Sequence, residues 1–306
     1  MSIINEDYEV SVCANCGKGE EESIKLKACT ACKLVKYCSR ECQIAHRPQH
    51  KKACKKRAAE LHDEKLFKQP PPKEDCPICF LLLPTHHTGY KYMTCCGKRI
   101  CSGCIHAPLY DNQGNKVDNK KCPFCRTPAA RTDEEVIRNE KKRAEANDPQ
   151  AIYGKGINYR DGICGYPQDN TKALELFHRA GELGDAKSYG CIGNAYYDGQ
   201  GVEVDETKAK HYWELSAIMG SETARHNLGA NEADEGNMDR AIKHWIIAAR
   251  AGENDSLKKI QDLYSNGHAT KEDYMKALQS YQTYLGEIKS RQRDEAAAFD
   301  ERNRYY

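Results

Sequence analysis

Long hydrophobic runs are missing from this sequence of 306 residues. No segment approaches the roughly 20 consecutive apolar residues that a membrane-spanning helix needs, and the mean hydropathy is low at −0.83. The opening MSIINEDYEV lacks the basic flank and the apolar stretch of a secretory signal. We therefore expect no membrane association, and we expect the chain to reside in the cytoplasm or the nucleus.

The motifs of several common hydrolases are also missing. The sequence contains no G-x-x-x-x-G-K-[ST] loop, no H-E-x-x-H and no G-x-S-x-G, so nucleotide hydrolysis, metalloprotease and serine hydrolase chemistry have no support. A formal charge of +2 gives no overall attraction to nucleic acid.

Cysteine, by contrast, is abundant and unevenly distributed. Of the 17 cysteines, 15 fall between Cys13 and Cys125. In a reducing compartment such clusters predict metal sites rather than disulfides. The two outlying residues, Cys164 and Cys191, are expected to act as buried small hydrophobes.

Composition divides the chain into five parts. A charged segment ending in three prolines separates two cysteine clusters, and such a segment is a stiff spacer. The predicted parts are the first cysteine cluster (13–54), a charged Pro-rich linker (55–75), the second cysteine cluster (76–126), repeats (148–285) and a charged helical tail (286–306).

The repeats recur at intervals of 32 to 37 residues. The recurring positions are a glycine (Gly156, Gly193, Gly229), a cation (Lys172, Lys208, Arg240, Lys276), an alanine (Ala173, Ala209, Ala241, Ala277) and an aromatic residue (Phe177, Trp213, Trp245, Tyr281). Four units, each with two helix-length segments, predict an α-solenoid. The alanine lets neighbouring helices approach closely, and the aromatic ring fills the space between them.

These residues resemble Sel1-like repeats, relatives of the tetratricopeptide repeat. The clearest stretch runs from Ser188 through SYGCIGNAYYDGQGV, followed by Lys208-Ala. The fourth unit departs from the pattern, with Gln261 where the helix glycine should be. The resemblance implies a mainly α fold with a concave protein-binding surface, and the tail is expected to be a helical cap.

The first cluster, here called the first cysteine module (Cys13–Cys54), has the spacing C-x2-C-x12-C-x2-C-x5-C-x3-C-x7-H-x3-C. A C-x2-C turn presents two thiolates to one zinc ion, and His50 and Cys54 lie on one face of a helix. His46 is an alternative ligand, although the spacing to Cys54 favours His50. The order resembles the MYND zinc finger. That resemblance implies that Cys13, Cys16, Cys38 and Cys42 hold one zinc and that Cys29, Cys32, His50 and Cys54 hold another.

One residue departs from the MYND pattern. Members of the family usually have a tryptophan three residues before the zinc histidine, where it helps line a groove for proline-rich peptides. This chain has Arg47 at that position. A structural role and a peptide-binding role for this finger therefore remain open alternatives.

The second cluster, here called the second cysteine module (Cys76–Cys125), resembles an all-cysteine RING finger. Lys98 occupies the place of the usual RING histidine, and a protonated lysine has no lone pair for zinc. Cys95 is the favoured replacement, with His86 or His87 as the alternative. By the family's interleaving, Cys76, Cys79, Cys101 and Cys104 hold one zinc and Cys95, Cys96, Cys122 and Cys125 hold the other. The loop around Asn112–Asn115 is expected to be a surface turn.

The RING resemblance implies a ubiquitin ligase, which needs no catalytic nucleophile of its own. Such a ligase holds a ubiquitin-charged conjugating enzyme in a reactive pose. Ile78 and Arg126 occupy the positions that usually contact the conjugating enzyme. The alternative is a non-catalytic adaptor in which both fingers serve protein–protein interaction.

Together the resemblances imply four zinc ions per chain. Fifteen thiolates and four dications shift the formal charge of +2 by seven units to −5, so nucleic acid becomes the less expected partner. The basic run around Lys51–Arg57 is then interpreted as an offset to the zinc–thiolate charge. Four protein ligands per site leave no open position for an activated water, which argues against a catalytic zinc.

Overall fold

The computed structural model describes residues 11–20, 24–85, 87–109, 121–130 and 132–306. The chain divides into two compact units, Met1–Lys68 and Gln69–Tyr306. The first unit contains the first cysteine module, and the second unit contains the second cysteine module, the repeats and the tail. The predicted surface turn at Asn112–Asn115 lies outside the described residues.

The first unit is built from a short ribbon and one long helix. Strand β1 (Lys27–Ala28) pairs antiparallel with β2 (Lys36–Tyr37), and helix α1 runs over Arg40–Leu66. The Ser39 hydroxyl caps α1 by accepting from the backbone N–H of Cys42. Helix α1 therefore includes the first part of the segment predicted as a linker.

The second cysteine module contains a hairpin and a short helix. Strand β3 (Tyr90–Met93) pairs antiparallel with β4 (Lys98–Cys101), and α2 (Ser102–His106) follows directly. Ile100 and Leu83 are buried together with four of the module's cysteines. So small an apolar core makes stability depend on the cysteine ligands and on packing against the rest of the unit.

Helix α3 (Asp133–Glu145) precedes a series of helix pairs that pack against each other. The pairs are α4 (Pro149–Asp161) with α5 (Asn170–Glu182), α6 (Ala186–Asp198) with α7 (Glu206–Ile218), α8 (Glu222–Asp234) with α9 (Met238–Arg250), and α10 (Asn254–Ser265) with α11 (Lys271–Ile288). The chain is thus mostly helical, and the predicted α-solenoid is confirmed.

Local sequence explains where these helices begin. A side-chain oxygen at the residue before the helix accepts a hydrogen bond from the first turn, and the capping residues include Asp148, Asp169, Asp185, Asp205, Ser221 and Thr270. The repeat-ending glycines Gly184, Gly220 and Gly252 all have positive φ, which glycine adopts without a steric penalty.

The repeated small and aromatic residues pack as a set. All four repeat alanines are at most 1% exposed. An added Cβ at Gly193 would lie 2.4 Å from Trp213, and one at Gly229 would lie 2.5 Å from Trp245. The glycine in the first helix of a unit thus makes room for the aromatic ring of the second helix. In the fourth unit Gln261 is exposed, and this glycine–ring contact is absent there.

The tail packs on the second cysteine module. After α11, helix α12 (Arg291–Phe299) lies against α2, and an added Cβ at Gly103 would lie 2.8 Å from the Arg293 backbone nitrogen. Tyr305 is 1% exposed and belongs to a buried cluster with Tyr284 and Ile288. The expected helical cap is therefore helical, but it covers the cysteine module as well as the end of the repeats.

The proline segment lies beside the solenoid. The closest atoms to a Cβ built at Gly220 belong to Pro71 and Pro70, at 3.7 and 3.9 Å. These prolines are part of the second compact unit. Among the described residues, no helix combines the length and the apolar character that crossing a bilayer requires.

Candidate metal centres

The structure gathers the predicted ligands into four groups of four. In each group the candidate ligand atoms lie within 4.8 Å of one another. The groups are Cys13, Cys16, Cys38 and Cys42; Cys29, Cys32, His50 and Cys54; Cys76, Cys79, Cys101 and Cys104; and Cys95, Cys96, Cys122 and Cys125. In both modules the groups interleave along the chain, so each ion would tie together segments that are separate in sequence.

The sulfur positions fit a tetrahedral zinc ion. A Zn–S bond of about 2.3 Å implies a tetrahedral edge of about 3.8 Å. The Cys16–Cys38 and Cys38–Cys42 sulfur pairs are 3.6 Å apart, and the Cys79–Cys101 pair is 3.8 Å apart. The Cys125–Cys95 distance is 3.5 Å. All lie far above the roughly 2.05 Å of a disulfide, so the donor sets suit zinc.

Four of the five C-x2-C pairs share one backbone conformation, and the fifth, Cys101–Cys104, continues into helix α2. The residue after the second cysteine has a positive φ and donates its N–H to the carbonyl oxygen of the first cysteine. These residues are Gly17, Lys33, Phe80 and Arg126, with φ of 72°, 60°, 57° and 63°. Only the first is a glycine, so the other three turns hold a side chain in the sparsely populated left-handed region. Repetition of this conformation indicates that ligand geometry determines it.

Helix α1 supplies the only histidine of the four groups. The Sγ of Cys32 lies 3.2 Å from Nε2 of His50. The alternative, His46, stacks on His50 with ring centroids 5.7 Å apart, and its Nδ1 lies 3.1 Å from the Tyr37 hydroxyl. His46 is therefore placed to orient the ligand helix, outside the ligand group itself.

Cys95 completes the fourth group. It follows β3 in a turn where the Gly97 N–H donates to the Met93 carbonyl oxygen. Lys98 is exposed at the start of β4, as expected for a residue that cannot bind zinc. His86 lies outside the described residues, and so does the side chain of His87.

Arg293, which sequence reasoning did not select, lies beside the third group. Its side chain is fully buried. The guanidinium donates to the carbonyl oxygens of Leu82 at 2.8 Å and Ile288 at 2.7 Å, and it lies 3.8 Å from the Cys79 Sγ. A zinc ion with four thiolates carries a net charge of −2, which a buried cation at this distance offsets.

A second arginine approaches the fourth group. Arg143, on α3, donates to the Cys95 carbonyl oxygen at 3.2 Å and to the Thr94 carbonyl oxygen at 3.4 Å. Its other terminal nitrogen lies 3.7 Å from the Asp148 carboxylate. Both groups of the second cysteine module thus receive an arginine from outside that module, which no local motif indicates.

One residue of the basic run of the first module, Arg57, is paired with carboxylates on its own helix. Arg57 donates to the carboxylates of Glu60 at 3.1 Å and Glu64 at 2.8 Å on the same helix. Lys51 and Lys52 are exposed, and so is Arg47. The charge of Arg57 is therefore compensated by glutamates rather than directed at the zinc ligands.

The two residues implied in conjugating-enzyme contact differ in their surroundings. Ile78 is half-buried and packs on the core of the second cysteine module. Arg126 is exposed, in the left-handed conformation described above. Phe80 and Phe124, neighbours of these two residues in sequence, are 76% and 42% exposed. Sequence reasoning overlooked both phenylalanines, although their position beside zinc ligands was a signal.

The two outlying cysteines take no part in the four groups. Cys191 is half-buried in α6, and burial raises the pKa of its thiol to about 11. The expected burial of this residue is therefore only partial, since Cys191 also lines two cavities. Cys164 is exposed in the turn after α4, so its expected burial is wrong. Its φ of 53° places it in a turn that projects the side chain into solvent.

Models of known families match separate parts of the chain. The model of the MYND finger matches residues 13–54. These residues are a MYND finger. The model of the Sel1 repeat matches residues 149–185, 189–221 and 224–253, so the first three helix pairs are Sel1 repeats. The second cysteine module and the fourth helix pair lie outside the matched segments, and the matches together cover less than half of the chain.

Curated relatives match smaller parts. The E3 ubiquitin-protein ligase GW2 of Oryza sativa is 31% identical over 100 residues, which are 32% of this chain and 22% of that protein. The E3 ubiquitin-protein ligase DA2 of Arabidopsis thaliana is 32% identical over 88 residues, or 28% of this chain and 20% of that protein. The chain thus spans about a fifth of the length of these relatives.

One further relative and one solved structure also match part of the chain. The SET domain and MYND-type zinc finger protein 6 of Schizosaccharomyces pombe is 48% identical over 40 residues, 13% of this chain and 8% of that protein. A Sel1 repeat protein from Oxalobacter formigenes has 26% identity and a TM-score of 0.46, covering 51% of this chain and 66% of that chain.

Proposed function

We propose that the chain is a RING-type ubiquitin ligase whose Sel1 repeats bind the protein to be modified. The interleaved thiolate groups of the second cysteine module carry this proposal. The first and third cysteine pairs form one group, and the second and fourth pairs form the other, which is the arrangement that the RING resemblance implies. The partial similarity to two plant ubiquitin ligases supports it.

In this proposal the second cysteine module positions the charged conjugating enzyme and supplies no reacting group of its own. Zinc ions held by the two groups would act structurally, since four protein ligands leave no open coordination position. Ile78 offers an apolar contact to the conjugating enzyme, and the exposed guanidinium of Arg126 is free to bridge the enzyme and ubiquitin. A guanidinium suits a bridge because it donates several hydrogen bonds in a fixed plane.

A second candidate function is a non-catalytic adaptor. Lys98 replaces a ligand of ordinary RING fingers, and the segments that family models match are a MYND finger and Sel1 repeats. In this alternative both cysteine modules hold protein partners or stabilise the fold. In either case we propose a reducing compartment, the cytoplasm or the nucleus, because clustered free thiols that bind zinc persist there.

The ligand count is tested by elemental analysis. The sixteen ligands, which are 15 cysteines and His50, predict four zinc ions per chain. Chelation should unfold both cysteine modules, since structural zinc contributes on the order of 10 kcal/mol per site, while the Sel1 helices retain their circular dichroism. A measured stoichiometry of two would show that one module does not bind zinc as proposed.

Ligase activity is tested by discharge of ubiquitin from a panel of charged conjugating enzymes. The zinc-loaded chain should accelerate discharge with at least one enzyme, and Arg126→Ala should slow it. Arg126→Gly is the sharper variant, because glycine relieves the left-handed conformation and should stabilise the turn by about 1 kcal/mol. Loss of discharge in this variant could not result from unfolding. Lys91→Ala, which removes another exposed cation of the module, should behave as wild type.

A separate variant tests the apolar contact that Ile78 offers to the conjugating enzyme. Ile78→Ala should weaken docking by roughly 1–2 kcal/mol, with some loss of module stability because Ile78 is half-buried. Ile44→Ala removes an exposed isoleucine of the first module and should leave discharge unchanged. If no enzyme of the panel responds to the wild-type chain, the adaptor function replaces the ligase.

A further inference from the structure

The cations of the first unit are concentrated in one stretch of the sequence. From Lys25 to Arg57 there are eleven lysines and arginines and a single acidic residue, Glu41. From Gln69 onward the chain has 33 cations and 35 acidic residues, so the net charge of the whole chain conceals this basic stretch. The other acidic residues of the first unit lie outside it in sequence, namely Glu6, Asp7, Glu9, Glu20, Glu21, Glu22, Glu60, Asp63 and Glu64.

Helix α1 arranges part of this basic stretch as a stripe of exposed side chains. Residues three or four positions apart lie along one side of a helix, and those of the stripe are Arg40, Ile44, Arg47, Lys51 and Lys55. All five are exposed. Because a helix rises 1.5 Å per residue, the stripe is about 22 Å long. It therefore presents four cations in a line on the surface of the first unit.

The fold does not use most of these charges. Exposed Lys52 and Lys56 form a second row beside the stripe, and like charges four positions apart destabilise a helix. Within the described part of the chain, Arg57 is the cation of the stretch that pairs with carboxylates. Two zinc ions bound by seven thiolates and His50 would carry a net charge of −3. Three cations suffice to offset that charge, so most of the eleven remain available to a partner.

A nucleic-acid duplex matches a straight stripe of cations. Duplex DNA carries one negative charge per about 1.7 Å of its axis, so a stripe of about 22 Å passes about a dozen phosphates. A helix that binds a membrane surface needs a broad apolar face, whereas Ile44 is the one large hydrophobic side chain exposed on α1. Single strands are bound by stacking on exposed aromatic rings. Tyr37 is buried and Phe67 is half-buried, which favours a duplex.

We propose that helix α1 binds the phosphate backbone of a nucleic-acid duplex through Arg47, Lys51, Lys52, Lys55 and Lys56. Contacts to phosphates carry no sequence information, so this binding is independent of base sequence. The small net charge of the whole chain made nucleic acid the less expected partner, and the local concentration of cations in the first unit reverses that expectation. The proposal goes beyond the proposed function and does not require ligase activity.

The experiment measures fluorescence anisotropy of a labelled DNA duplex, longer than the stripe, with the zinc-loaded full chain. Two duplexes of unrelated sequence should bind equally. Contact with about four phosphates predicts that affinity falls roughly 100-fold between about 50 and 200 mM NaCl, because bound counterions are released. A duplex of RNA presents the same phosphodiester charges with a different groove geometry. The duplex that binds more tightly, DNA or RNA, identifies the source of the backbone.

Variants of the stripe assign the binding to helix α1. Lys51→Gln with Lys55→Gln should weaken binding at low salt by about ten-fold or more and reduce the salt dependence by about two phosphate contacts. Glutamine preserves helix propensity, so zinc content should remain that of wild type. Lys51→Arg with Lys55→Arg should bind as wild type. The matched control, Arg138→Gln with Lys142→Gln, removes two exposed cations at the same spacing on α3 and should also bind as wild type.

The second row provides an independent variant if the first one loses zinc. Lys52→Gln with Lys56→Gln should weaken binding to a similar extent. Absence of duplex binding at low salt, binding unchanged in both lysine variants, or an equal loss in the α3 control would each overturn the proposal. Equal affinity for polyglutamate would overturn it in favour of an acidic protein. Binding to phosphatidylserine vesicles without binding to the duplex would overturn it in favour of a membrane surface.

Discussion

A single residue of the tail, Arg293, connects regions that are far apart in sequence. It is separated from Leu82 by 211 positions, yet its guanidinium lies against the carbonyl oxygens and a thiol of the second cysteine module. A buried cation is tolerated only where its charge and its donors are satisfied. The thiolate group offsets the charge and the carbonyl oxygens accept from the terminal nitrogens, whereas the buried Nε has no hydrogen-bond partner among the described residues. We therefore expect tail docking and metal binding to stabilise each other.

Replacement of this residue gives the first prediction. Arg293→Ala should weaken zinc binding at the third group by about 10- to 100-fold, as loss of a residue that supports metal ligands commonly does. Leaving the net charge of that group uncompensated should also lower module stability by about 3 kcal/mol. Zinc release to a chromogenic chelator measures the first effect, and thermal unfolding measures the second.

The matched control lies on the same helix. Arg291 is 91% exposed and pairs with Glu295 at 2.7 Å, and an exposed pair of this kind contributes less than about 1 kcal/mol. Arg291→Ala should therefore release zinc as wild type does. Equal release rates for the Arg293 and Arg291 variants would show that the buried guanidinium does not support the metal site.

At the scale of helices, the glycine–aromatic pairs determine how closely the two helices of a Sel1 unit pack. Gly193→Ala would place a Cβ 2.4 Å from the Trp213 ring, and forcing the ring outward should cost about 1–3 kcal/mol. Gly286→Ala is the control, because that glycine is also helical and an added Cβ meets nothing within 4 Å. It should stabilise α11 by about 0.5–1 kcal/mol.

The two alanine variants should thus have opposite signs in thermal unfolding followed by circular dichroism. Backbone propensity alone would make both stabilising, because alanine favours helix over glycine at either position. A stabilised Gly193→Ala would show that the Trp213 ring moves aside without loss, and that the repeated glycine is not required for packing.

At the scale of the whole chain, the tail decides whether the second cysteine module and the solenoid hold together. Deleting residues 291–306 removes α12 from α2 and removes Tyr305 from its cluster with Tyr284 and Ile288. The deletion should therefore reduce zinc retention and protease resistance in residues 76–126. The MYND finger, in the other compact unit, should retain its zinc.

Mass spectrometry of proteolytic fragments, with zinc content measured in parallel, distinguishes a tail that docks on the cysteine module from a tail that only caps the repeats, as the sequence predicted. If the tail only capped the repeats, cleavage would appear first in α10 and α11, and zinc content would not change. Tyr306→Ala is a mild control, since this residue is 60% exposed. Deletion without any change in the cysteine module would contradict the docking role of α12.

Much of the architecture follows from short-range sequence patterns. The C-x2-C pairs predict metal ligands because two thiolates three positions apart fit one turn. The recurrence of Ala173, Ala209, Ala241 and Ala277 predicts helix pairs because each unit buries the same face on its neighbour. Their nearly complete burial confirms that prediction. Both inferences depend on contacts within about 40 residues.

Residue spacing alone could not decide which of two nearby side chains takes a given role. His46 and His50 lie on the same side of α1, and their partners separate their roles: His50 lies beside Cys32 and His46 lies beside the Tyr37 hydroxyl. The exposure of Cys164 depends on a left-handed turn that the sequence did not reveal. The orientation of the Asn194 side-chain amide likewise depends on Trp213, whose indole N–H donates to it from the second helix of the unit.

The sequence by itself determined the spacing of the cysteines, the helical repeats and the absence of long apolar runs, because each is a local or compositional property. Only the tertiary structure decided that Arg293 and Arg143 support the second cysteine module, that the tail packs on α2, and that Asp198 and Asp234 line cavities together with Asn194. The physical reason is that buried charge and close packing depend on what surrounds a residue. Those surroundings come from segments that no spacing rule connects.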